Sequence, residues 1–331
     1  MKAIVLDRNK ESSLDLIEVQ ENKLQPNEVR VSIKAASLNH RDEWCRKGKY
    51  PNLKEGVILG SDGAGIIIEV GDNVPKSIIG TEVIINPSRN WGDNPKAQHK
   101  DFEILGMPSN GTLAETIVVP LDRVYDKPSH LSWQEAAALP LAGLTAYRAL
   151  TFHGNIQAGQ DLLVTGFGGG VAQFAAQFGL ALGAKVSVSS SSDKKLEQAK
   201  KLGIINTYNY TQTDWVGQAQ KYGGFDLIID SASGRTLNDL IDVAKPGGKI
   251  VFYGATLGNP ESIDARKIFW GQLTLQGTTM GTDMDFEAML EFVKKHKIHP
   301  IIDEVFSFGE ASEAFDKMRA GQQMGKIILV P

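Results

Sequence analysis

The stretch Leu162-Leu163-Val164-Thr165-Gly166-Phe167-Gly168-Gly169-Gly170-Val171-Ala172 narrows the possible folds more than any other part of the chain. A short apolar run ends in a cluster of glycines and passes into a segment where Val171, Phe174, Ala175, Phe178 and Leu182 recur at helical spacing. It therefore reads as strand, tight turn and helix. Only glycine lets backbone approach a pyrophosphate closely, and the first helical turn offers unpaired N–H groups and the positive end of its dipole. Gly168, Gly169, Gly170 and Val171 are accordingly read as a dinucleotide cradle. As a G-x-G-x-x-G/A string the match is imperfect, because Phe167 stands at the first glycine when Gly169 and Ala172 take the other places. Gly166 or Gly168 can supply the tight turn instead; a merely flexible strand–helix turn is the alternative.

The surroundings favour the cradle. From Asp161 onward Leu162–Thr165, Lys185–Ser189, Asp226–Asp230 and Lys249–Tyr253 read as strands, with helices at Val171–Leu182 and Lys194–Leu202. This alternation predicts an α/β fold with a Rossmann doubly wound parallel sheet and right-handed crossovers. Before about residue 120 the pattern changes to short β-branched runs, Glu28–Lys34, Gly65–Val70, Thr81–Asn86 and Thr112–Pro120, which predict a small β barrel. The polar insertion between Asn86 and Gly111 exceeds ordinary connections, so it is either a functional loop or a disordered one. A capping box at Ser132 and Glu135 starts an Ala/Leu-rich stretch, one helix or two broken near Pro140. The chain closes with a helix at Phe286–His296, a strand near Glu304–Phe308, a helix at Glu310–Ala320 and a strand at Lys326–Val330. At 331 residues, two domains are expected.

Charge and cysteine usage exclude several functions. The 39 acidic and 35 basic residues leave a formal charge of −4, with no basic run to grip phosphate backbones, so no nucleic acid partner is expected. No apolar stretch approaches the ~18–20 residues that span a bilayer, and Met1–Asp7 meets charge too early for a signal peptide. No membrane partner and a cytoplasmic location follow as expectations. Cys45 is the single cysteine; it reads as a packed residue and cannot support a zinc site built from several thiolates.

Cofactor choice is read after the second strand. Where NAD-binding proteins of this design place an acid for the ribose 2′-hydroxyl, this chain has Ser190, followed by Ser191, Ser192, Asp193, Lys194 and Lys195. Hydroxyls and lysines suit a 2′-phosphate that a carboxylate would repel, which predicts NADPH. Ser190 and Asp193 acting as a helix-capping box is the competing reading.

Four ordered motifs carry a family resemblance: Ala36-Ser37-Leu38-Asn39-His40-Arg41-Asp42, Leu59-Gly60-Ser61-Asp62-Gly63-Ala64-Gly65, Leu139-Pro140-Leu141-Ala142-Gly143-Leu144-Thr145-Ala146-Tyr147 and Lys245-Pro246-Gly247-Gly248-Lys249. Through them the chain resembles the medium-chain dehydrogenase/reductase superfamily, on its zinc-less quinone-oxidoreductase side. The resemblance implies a GroES-like catalytic domain over 1–142 that is completed by 280–331, a cofactor domain over 143–279, and a homodimer paired through strands near Leu273–Gln276. It also implies no metal. Asn39, Ser61 and Leu141 occupy the positions where zinc-dependent relatives carry ligands, and none is a usual zinc ligand.

Without a Lewis acid, hydrogen-bond donors must stabilise the charge that develops when a hydride reaches its acceptor. Quinones and α,β-unsaturated carbonyls delocalise that charge and are the expected small-molecule substrates. By resemblance Asn39, Asp42 and Tyr50 form the catalytic set, with His40 a possible proton relay. Thr145, Ser191, Tyr210, Gly254, Ala255, Thr278, Thr279, Met280 and Lys326 join the cofactor set, with Lys326 reaching a phosphate. An enoyl-thioester reductase and an NADPH-binding structural or sensory protein are the rival readings.

Overall fold

Leu162, Leu163 and Val164 are wholly buried in the middle of a six-stranded sheet whose strands all run parallel. The computed structural model describes residues 1–212 and 214–331. The strand order is Asn206–Asn209, Lys185–Ser190, Asp161–Val164, Phe225–Asp230, Ala244–Phe252 and Thr274–Gly277. Chain direction across the sheet reverses between Asp161–Val164 and Phe225–Asp230, the switch point where such sheets bind ligands beyond their carboxyl ends. The glycine turn emerges there.

The helix after that turn, Gly170–Ala181, buries Phe174, Ala175 and Phe178 against the sheet. Full burial of such an aromatic side chain contributes roughly 1.5–3 kcal/mol. Gly179 permits the close approach, since a Cβ there would lie 2.5 Å from Leu162 Cδ2. This unit comprises Gly143–Met280.

The other unit, Met1–Ala142 with Gly281–Pro331, is built on a sheet in the order Ile302–Ser307, Lys326–Val330, Glu28–Ser37, Asp62–Val70, Glu82–Ile85 and Val124–Asp126. Thr116–Pro120 also pairs with Glu28–Ser37, so one edge of that long strand is shared between Thr116–Pro120 and Lys326–Val330. The C-terminal strand returns to this unit and pairs antiparallel with Glu28–Ser37. Val29, Val31, Ile67, Val83, Leu105 and Leu329 lie in its apolar core.

Several boundaries differ from those read in the sequence. Thr112–Pro120 is a strand only from Thr116, because Thr112 and Leu113 instead bond the backbone of Gly60 and Leu59. Pro140 does break the Ala/Leu stretch, into Trp133–Ala138 and Pro140–Arg148, and the latter loosens into a π-helical turn over Ala149–His153. The insertion over 86–111 is packed: buried Trp91 meets Phe102 edge-on at 5.3 Å, and its indole N–H donates to Asn94 O at 3.0 Å. Among the described residues no helix is long and apolar enough to cross a membrane.

Candidate functional site

The glycine turn is held by its neighbours on both sides. Thr165 Oγ1 donates to Asp230 Oδ1 at 2.5 Å, and Asp230 Oδ2 accepts the N–H groups of Ala232 and Ser233 at 3.0 and 2.7 Å. One buried carboxylate thus ties two strand ends together. Phe167 is not a misplaced glycine but a core residue, 1% exposed, whose N–H donates to Ser189 O at 2.8 Å. Gly166 and Gly168 on either side take φ of +64° and +121°, the left-handed values a side chain resists. Gly169 then caps the helix that Gly170 and Val171 begin.

Lys195 comes back across this turn. A Cβ on Gly168 would lie 2.6 Å from Lys195 Cδ and 3.1 Å from its Nζ, so the glycine makes room for the lysine. Ser190 does not cap the following helix with Asp193. Its hydroxyl is buried and donates to Phe167 O at 3.0 Å, while Ser192 is the N-cap and accepts from Lys195 N. Asp193 accepts from Asn209 Nδ2 at 2.7 Å. Ser191 is exposed. Tyr210 is 44% exposed, with its N–H on Ser190 O. Ser191, Lys195 and Tyr210 therefore surround the end of the second strand, and Ser190 supports it from within.

Further along the same sheet edge, Gly254 closes on Ser231, whose carbonyl oxygen would lie 2.9 Å from an added Cβ. Ala255 follows on the exposed side. Thr278 N donates to Phe252 O at 3.0 Å, whereas its buried Oγ1 has no hydrogen-bond partner among the described residues. Thr279 leads to Met280, buried at φ +39° with its sulfur 3.9 Å from Thr145 Oγ1. A glycine cradle, a lysine over it and an orphan hydroxyl at a strand end fit a dinucleotide.

In the GroES-like unit Asn39 caps the helix His40–Arg46 and is 7% exposed. Its Nδ2 donates to Asp62 Oδ2 at 2.8 Å, and its Oδ1 accepts from Lys326 Nζ at 2.7 Å. Lys326 also donates to Leu38 O at 2.8 Å and to Asp62 Oδ2 at 3.1 Å. With three acceptors and 2% exposure, its ammonium has no hydrogen left for a cofactor phosphate, contrary to the sequence reading. Asp62 Oδ1 accepts the N–H of Leu141 at 2.8 Å.

Asp42 also departs from its expected role. It is wholly buried, and its Oδ2 accepts the Asn39 N–H at 2.8 Å, so it orders the helix start, while its Oδ1 has no hydrogen-bond partner among the described residues. Burial raises its pKa above the ordinary carboxylate value, against the opposing influence of Arg41 and that N–H. Tyr50 is half-buried under Arg41, whose Nε donates to the phenol oxygen at 3.2 Å with Cζ 4.7 Å from the ring centroid. The remaining guanidinium hydrogens reach Ser61 Oγ and the carbonyls of Ile104, Leu105 and Met107. Arg41 thereby pins the 86–111 insertion to the Asn39 helix. His40 keeps an exposed edge, yet the protein packed around it lowers its pKa, with Lys326 acting in the same direction. It is neutral near pH 7 and so a poor proton donor there. Burial pushes the Cys45 thiol up to about 12, as befits a core residue.

Sequence reasoning passed over Asp62, Lys326 as its partner, and Arg41. The signal was present: a carboxylate opening the apolar run Gly63–Ile68 must be paired if the strand is buried. Among the described residues no group of three or more His, Cys, Asp or Glu side chains could hold a metal ion.

Comparison with known proteins agrees with this architecture. Residues 25–129 match the alcohol dehydrogenase GroES-like domain, and residues 170–295 match the zinc-binding dehydrogenase family. The chain is 36% identical over 326 residues to a zinc-type alcohol dehydrogenase-like protein of Leptosphaeria maculans, covering 92% of this chain and 90% of that one. It is 29% identical to an acryloyl-coenzyme A reductase of Sulfurisphaera tokodaii over the full length of both. A crystal structure of an NAD-dependent alcohol dehydrogenase superposes with a TM-score of 0.95 at 33% identity, covering both chains completely. On this likeness and on its two folded units, the chain belongs to the medium-chain dehydrogenase/reductase superfamily of oxidoreductases.

Proposed function

We propose that this oxidoreductase uses NADPH, without zinc, to reduce a quinone or an α,β-unsaturated carbonyl. The observation that carries the cofactor choice is Lys195 lying over Gly168 at the end of the second strand, with no acidic side chain at position 190. Gly168, Gly169, Gly170 and Val171 would hold the pyrophosphate, and Ser191, Lys195 and Tyr210 the 2′-phosphate. Gly254, Ala255, Thr278, Thr279, Met280 and Thr145 would line the nicotinamide end, with Thr278 Oγ1 free to bond the carboxamide. The bound nicotinamide supplies a hydride.

Asn39 acts on the acceptor by donating its remaining Nδ2 hydrogen to the carbonyl oxygen as negative charge develops there. Tyr50, steadied by Arg41, would offer its ring to the same acceptor. Zinc independence is supported by what occupies the three positions of the usual ligands. The Asn39 amide lies between Asp62 and Lys326, Ser61 Oγ between Arg41 and Leu105 O, and Leu141 offers only its backbone N–H.

The enoyl-thioester reading is favoured by the acryloyl-coenzyme A reductase among the relatives. NADPH oxidation measured with 1,4-benzoquinone, an enone and crotonyl-coenzyme A decides between them. Turnover of the thioester alone removes the quinone assignment, and turnover of none of them removes catalysis in favour of a cofactor-binding role.

The protein is further proposed to be a homodimer. Among the described residues Thr274–Gly277 is an edge strand paired on one side only, and Phe269 and Trp270 beside it are 66% and 84% exposed. Large exposed aromatics next to an open strand edge are the features that a second copy would cover.

A further inference from the structure

The chemistry of its two neighbours decides which way the Asn39 carboxamide faces. An ammonium can only donate and a carboxylate can only accept, so Oδ1 must face Lys326 Nζ, 2.7 Å away, and Nδ2 must face Asp62 Oδ2, 2.8 Å away. The amide cannot flip without placing like against like. One Nδ2 hydrogen then remains, on a residue that is 7% exposed and whose amide nitrogen has no second acceptor among the described residues. The two neighbours are themselves fixed. Lys326 spends its other hydrogens on Leu38 O and Asp62, and Asp62 is held by the Leu141 N–H and approached by Ser37 Oγ at 3.2 Å.

We propose that Lys326 and Asp62 are positioning residues, an internal ion pair that sets the orientation of the Asn39 carboxamide and so aims its remaining N–H at the acceptor. This rests on the reading of Asn39 given above. The pair links three distant segments, the helix cap at Asn39, the strand opening at Asp62 and the strand opening at Lys326. It acts on the reaction only through Asn39.

Lys326→Met alone strands a buried carboxylate and threatens folding, so the informative variant is Lys326→Met/Asp62→Asn, which removes both charges and the reason for one amide orientation. With the best acceptor found, this variant should lower kcat by ~10- to 100-fold and leave KM for NADPH within about twofold. In an Asn39→Ala background the same two changes should lower kcat by less than about threefold more, because partners acting through one group are not additive. Equal losses in both backgrounds would make the pair merely structural and overturn the proposal. If Asn39→Ala alone leaves kcat unchanged, the assignment of Asn39 falls, and the orientation claim is decided by nuclear magnetic resonance. The two Asn39 carboxamide protons, identified by their loss in Asn39→Ala, should exchange slowly with solvent in the wild-type protein. In the double variant they should exchange at least about tenfold faster. Wild-type exchange at the rate of a free amide, or unchanged exchange in the double variant, overturns the proposal whatever the kinetics show.

Discussion

Lys195 lies across Gly168 so closely that a Cβ on the glycine would come within 3.1 Å of the lysine Nζ. A residue from the helix after the second strand therefore places its charge over the turn after the first. Lys195→Ala should weaken NADPH binding roughly ten- to a hundredfold, the equivalent of one charge-assisted hydrogen bond of about 1.5–3 kcal/mol. NADH should change by less than about threefold. Fluorescence titration of both cofactors at low, fixed salt measures this. Equal weakening of the two would remove Lys195 from the 2′-phosphate. An acidic replacement belongs at Ser191, which is exposed, rather than at Ser190, whose buried hydroxyl donates to Phe167 O.

Metal dependence is tested directly. Activity should survive exhaustive chelation, and the purified protein should carry much less than one zinc per chain. The Asn39 amide and the Ser61 hydroxyl already have fixed partners, so a metal would have to displace an ammonium or a guanidinium. Loss of activity on chelation with recovery on adding zinc would show that another ligand set exists.

Trp270→Asp should turn the proposed dimer into a monomer without lowering Tm by more than a few degrees, because Trp270 is 84% exposed and contributes little to the core of its own chain. Sedimentation velocity at several concentrations reads the outcome. A wild-type protein that sediments as a monomer throughout would end the dimer assignment.

Stability should fall on the acid side. The His130 ring bonds Ile298 O at 3.2 Å. Burial holds its pKa below the ordinary 6.5, with Lys297 and His299 acting the same way and Ile298 O and Glu135 opposing them. A histidine whose folded value is depressed binds more protons when unfolded, so stability is lost as pH falls below about 6.5. His40 acts in the same direction. Tm should drop between about pH 7 and pH 5, and His130→Gln, which keeps a neutral donor for Ile298 O, should flatten part of the drop. An identical profile in the variant would assign the loss to other groups.

Local pattern carried the fold. The strand–glycine–helix passage, the alternation after Asp161 and the β-branched runs before residue 120 each report short-range geometry, and each appears in the structure within a few residues of where the sequence places it. Ends were less legible because long-range partners set them: Thr112 and Leu113 leave the expected strand to bond Gly60 and Leu59. The neighbourhood of Asn39 was only half visible. Asn39 and Tyr50 stood out by motif, but Lys326, Asp62 and Arg41 took their roles from chain segments that meet only after folding. Residue type and spacing determine which element a segment forms. Whether a charged side chain such as Lys326 faces a ligand or an internal carboxylate depends on which distant groups share its burial, and the tertiary structure alone decided that.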